Sequence, residues 1–80
     1  MPVYHFNVHD GLGIPDPDGT ELADLRSART EAVRLAGRLL MDQPEAVWDG
    51  SGWHLEVAND RGAILFRLDF MATEAAPAPA

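Results

Sequence analysis

Two runs of alternating apolar and polar side chains, one on each side of Asn59-Asp60-Arg61-Gly62, limit what this chain can fold into more than any other feature. Trp53, Leu55 and Val57 alternate with His54, Glu56 and Ala58 before the turn. Ile64, Phe66, Leu68 and Phe70 continue the pattern after it. A period of two over such a length marks strands with one buried face, and a polar turn ending in glycine joins them as a hairpin. Parity suggests the register: a turn over Asn59-Asp60-Arg61-Gly62 sets Val57 opposite Ile64, Leu55 opposite Phe66 and Trp53 opposite Leu68. All the large apolar groups then share a face, whereas a slip of one residue would bring Leu65, Arg67 and Asp69 there.

Such a face needs a cover, and a helix supplies it. Asp24 is placed as its N-cap, accepting from the free backbone N–H near Ser27. Leu25, Ala28, Ala32, Leu35, Ala36 and Leu39 recur at the spacing of one buried stripe, with Arg26, Arg29, Thr30, Glu31, Arg34 and Arg38 on the solvated side. Gly37 costs the helix about 1 kcal/mol relative to Ala, and with Ala32 and Ala36 nearby it predicts close approach to the sheet. Pro44 ends the helix by disfavouring the helical conformation at Gln43.

At the other end, Tyr4, Phe6 and Val8 alternate with Val3, His5, Asn7 and His9, a further half-buried strand. Asp10-Gly11 marks a turn, a short second strand is expected around Leu12 to Ile14, and Pro15-Asp16-Pro17-Asp18-Gly19 reads as a loop. The expected fold is α+β, a two-layer β-β-α-β-β sandwich with one helix on a mainly antiparallel sheet of three to four strands. Residues 1–70 form its single domain. Residues 71–80, rich in Ala and Pro, read as a disordered tail.

Composition narrows the function classes. Net charge is −7, which repels phosphate backbones, so no nucleic-acid partner is expected. The chain has no cysteine, which excludes disulfides, thiolate zinc sites and a cysteine nucleophile. No segment approaches the ~18 apolar residues of a membrane span, and the start lacks a signal-peptide pattern. The expected location is cytoplasmic, away from membranes.

Chemistry-bearing residues are few. His5 and His9 share a strand face but lie ~13 Å apart along it, too far to hold one ion together. His54, beside Glu56, can meet one of them only if the two strands adjoin. The histidines therefore read as solvated or interface groups, and neither a metal nor a cofactor is expected. Asp16-Pro17-Asp18-Gly19-Thr20-Glu21 has oxygen groups near a glycine, but Ser27 stands where a calcium loop needs its final glutamate, so the stretch reads as a polar turn. Pro2 resembles the N-terminal proline base of small tautomerases, although those enzymes place a long helix directly after the first strand. Ser27, Thr30, Ser51 and Thr73 lack a nucleophile motif, and the outer sheet face lacks the aromatics of a base-stacking platform.

Tyr4-His5-Phe6-Asn7-Val8-His9-Asp10-Gly11, Asp16, Asp18-Gly19-Thr20-Glu21-Leu22, Asp24-Leu25, Ala28-Arg29 and Glu31-Ala32 together resemble a family of short bacterial proteins. It is common in soil and plant-associated alphaproteobacteria and defined as a domain of unknown function. The resemblance spans most of residues 3 to 70 and implies no activity, ligand or catalytic residue. More loosely, the N-terminal hairpin, loop and Ala-rich helix are similar to the partial ribonuclease-H-like domain of HicB-type antitoxins. That similarity implies a small protein partner and no nuclease activity, but this chain places a whole hairpin after the helix. The expectation is a non-enzymatic interaction or regulatory module that binds a protein partner, or itself as a homodimer, through the sheet. Its candidate contact residues are His5, Asn7, His9, His54 and Glu56. The rival expectation is a tautomerase-like enzyme using Pro2.

Overall fold

The computed structural model describes residues 1–10, 13–48 and 52–76. Strands β1 (Val3–His9) and β2 (Thr20–Glu21) precede helix α1 (Leu25–Asp42), and β3 (Trp53–Ala58) and β4 (Ile64–Phe70) follow it. The four strands make one sheet in the order β2-β1-β3-β4, with every neighbouring pair antiparallel. The chain is thus the expected α+β arrangement with the helix packed on the sheet. A single 3-10 turn, Pro44–Val47, follows the helix. Residues 71–76 carry no regular structure, and 77–80, like Leu12 and most of the glycine-rich loop before β3, lie outside the described residues.

The core follows from the alternation. Tyr4, Phe6 and Val8 of β1 and Trp53, Leu55 and Val57 of β3 are buried beneath Ala28, Ala32 and Ala36 of the helix. Three alanines at the contact let the helix axis approach the large side chains of the sheet. Phe66, Leu68 and Phe70 of β4 pack beside this core half-buried, with the Phe70 ring edge-on to Trp53 at 5.6 Å. Asp24 caps the helix as expected, its Oδ1 accepting the Ser27 N–H at 2.8 Å. Gln43 closes the other end with its N–H on the Leu39 carbonyl, directly before Pro44.

Four expectations are corrected. Among the described residues the second strand lies at Thr20–Glu21, and of the stretch expected around Leu12 to Ile14 the described Gly13 and Ile14 form no strand. Ile14 makes only an isolated bridge to Val8, because at the next position facing β1 the Asp16 N–H turns to Asn7 Oδ1 instead of the strand backbone. Next, the hairpin pairs Val57 with Phe66, Leu55 with Leu68 and Trp53 with Phe70, two residues away from the expected register. The Gly62 N–H bonds the Asn59 carbonyl and Gly62 takes φ +82°, a type I turn closed by a left-handed glycine, which makes the loop one residue shorter than expected. An irregularity at Val57/Ala58 restores the parity of Phe66, Leu68 and Phe70 but leaves Ile64 opposite Ala58, on the outer face. Finally, Gly37 is exposed and a Cβ there would meet nothing within 4 Å, so close approach to the sheet does not explain it. Leu25, expected in the buried stripe, is exposed as well.

Candidate functional site

Because the helix covers one side of the sheet, the polar positions of β1 and β3 line the other. The strand order makes β1 and β3 neighbours, with His9 opposite His54 and Asn7 opposite Glu56. Two separate groups result along this face, and the five candidate residues divide between them.

The first group is a clasp on the loop between β1 and β2. The Asp16 carboxylate accepts from the Phe6 N–H at 3.1 Å through one oxygen and from the Gly19 N–H at 3.1 Å through the other. The Asp16 N–H in turn donates to Asn7 Oδ1 at 2.9 Å. Along the outer edge of β1, Asp16 Oδ2 therefore does for Phe6 what the Ile14 carbonyl does for Val8. A side-chain oxygen takes the place of the next backbone carbonyl of a paired strand. Gly19 has φ +73°, and a Cβ there would lie 2.6 Å from Val3 Cγ1, so both conformation and space demand glycine.

His5 ties the same loop to the far hairpin. Its Nδ1 lies 2.8 Å from the Asp16 carbonyl oxygen, and its Nε2 lies 2.8 Å from Asp60 Oδ1. Both partners only accept, so both contacts are hydrogen bonds when the ring is imidazolium. The Asp60 carboxylate foremost, then the Asp16 carbonyl, raises the His5 pKa above its ordinary value, against the opposing effect of burial. His5 and Asn7 are thus engaged in holding structure. Asp16 and Asp60 were legible only as turn residues, since nothing in the local pattern shows that one histidine reaches both loops.

The second group lies at the other end of the strands. His54 Nε2 is 3.2 Å and His9 Nε2 3.7 Å from the same Glu56 Oε1. The two imidazoles stack with centroids 4.4 Å apart and planes 13° from parallel. Donor atoms of His9, His54 and Glu56 all fall within 4.8 Å of one another, and all three residues are half-buried. Two imidazole nitrogens and a carboxylate oxygen are chemically suited to a metal ion. Between the two groups lies a hollow of about 520 Å³, floored by polar side chains including Asn7 and Glu56 and flanked by Ile14 and Ile64, which are 54% and 60% exposed. Pro2 sits elsewhere: it is exposed ahead of β1, its carbonyl accepts the Leu22 N–H at 3.1 Å, and it is roughly 23 Å of strand from His9.

A family model described as Domain of unknown function (DUF6894) matches residues 3–71. The chain belongs to this family. No curated protein and no solved structure matches it. The DUF6894 match takes in all four strands and the helix, and therefore both groups on the outer face. Several residues of the family-like pattern, namely His5, Asn7, Asp16, Gly19 and Asp24, are accounted for by the clasp and the helix cap. Among the described residues no helix is long and apolar enough to cross a membrane.

Proposed function

We propose that this DUF6894 chain is a non-enzymatic interaction module that holds a protein partner against the outer face of its sheet. The observation that carries this reading is the hollow between Ile14 and Ile64, two exposed apolar side chains around a polar floor on the face the helix leaves open. Apolar anchors beside hydrogen-bonding groups are what a polypeptide surface engages best. Of the five candidate residues, His9, His54 and Glu56 provide direct contacts, while His5 and Asn7 keep the hollow in shape by holding the loop that carries Ile14 and Asp16.

The test is capture of partners from the native cell by the tagged chain, with the solution mass of the purified chain measured alongside. One partner retained stoichiometrically, or a defined homo-oligomer, is expected. Ile64→Asp combined with His9→Ala should weaken that association while far-ultraviolet circular dichroism stays unchanged. A folded variant that associates as well as the unaltered chain would falsify the assignment of this face.

A further inference from the structure

We propose that His9, His54 and Glu56 form a binding site for a divalent transition metal of the zinc class. The topology assembles the site from distant parts of the chain. His9 lies directly across the β1–β3 ladder from His54, and Glu56 follows on the same face of β3. A tetrahedral ion with bonds of about 2.0–2.2 Å to nitrogen and oxygen spaces its donors about 3.3–3.5 Å apart. The separations from Glu56 Oε1, 3.2 Å to His54 and 3.7 Å to His9, bracket that spacing. The remaining pair, the two histidines, have donors within 4.8 Å; their rings stack 13° from parallel, so holding one ion in both ring planes requires one ring to turn about χ2.

The donor set selects the class of ion. Imidazole nitrogen suits zinc, nickel, cobalt and copper, whereas calcium and magnesium take oxygen donors almost exclusively. The third histidine shows the contrast: both ring nitrogens of His5 are engaged by Asp16 and Asp60, so His5 is not a competing ligand. Three protein donors leave a fourth tetrahedral position for water or an incoming ligand. His9 and Glu56 also line the outer-face hollow, which gives such a ligand room beside the ion. The site stands independently of the partner reading, because the isolated chain suffices to test it.

The experiment is titration of the untagged, purified chain with Zn²⁺ by calorimetry and with Co²⁺ by visible absorption. One ion per chain is expected, with the intense absorption of four-coordinate Co²⁺ and its loss on adding Zn²⁺. His54→Ala and Glu56→Gln should each weaken binding by at least about tenfold, since loss of even an outer-shell partner can do so. His5→Ala should leave binding in place. In the unaltered chain, Zn²⁺ should shift the imidazole proton resonances of His9 and His54 and leave those of His5 in place, a readout that needs no variant to fold. Absence of stoichiometric binding, undiminished binding in a folded His9→Ala/His54→Ala variant, or unmoved His9 and His54 resonances would each overturn the proposal.

Discussion

His5 shows how far a single residue's role depends on partners that its neighbours in sequence do not reveal. Alternation places it correctly beside Asn7 and His9 on the outer face, yet its two hydrogen-bonding partners come from two different loops. Its raised pKa means that the folded state holds the proton more tightly than the unfolded chain does. The contribution of the His5 clasp is therefore fully present below about pH 6.5, the unfolded value, and is lost as pH rises through the higher folded value. Because the Asp60 carboxylate is the foremost cause, Asp60→Asn should lower the His5 titration midpoint seen by proton NMR. The loss of thermal stability in that variant should be largest in mildly acidic buffer and shrink in alkaline buffer. An unmoved midpoint would show that Asp60 does not hold the proton. Asp16 illustrates the same lesson. Its carboxylate reads as an ordinary turn former until the structure shows it bonding the edge of a strand ten residues away.

At the scale of elements, the helix was legible because its determinants are local. The Asp24 cap, the alanine stripe and Pro44 each act on residues within a turn or so of themselves, and each appears where the spacing predicts. Gly37 was misread because a small residue beside other small residues suggests close packing, whereas its neighbours in space are absent. Gly37→Ala should accordingly stabilise the chain by about 1 kcal/mol, measurable as a higher denaturant midpoint at unchanged slope. A destabilised variant would mean that the position serves a contact the isolated chain does not make. The hairpin was legible in its faces but not in its pairing. Turn length and a compensating irregularity both alter register, and hydrophobic parity records only their sum. Ile64 moves to the outer face for that reason, and with it goes one side of the hollow.

For the whole molecule, strand order is the information that alternation lacks. Only when β1 lies against β3 do His9, His54 and Glu56 meet, and no local pattern fixes that adjacency. The order also ranks the strands by protection. β3 has a partner on both sides and carries the fully buried Leu55 and Val57, while β2 is a two-residue edge with both residues exposed. Hydrogen exchange should therefore be slowest in the β3 amides and fast around β2. Comparable protection in the two would contradict the observed order. The bond from the Phe6 N–H to Asp16 has a consequence of the same reach. It closes β1 against further growth, and β2 beyond it is too short to template another chain. Seven-residue β4 is left as the long open margin of the sheet. Among the described residues it is the only long free edge, so two chains joined along it would consume it in each other, and assembly of that kind would stop at a pair instead of running on into a fibre.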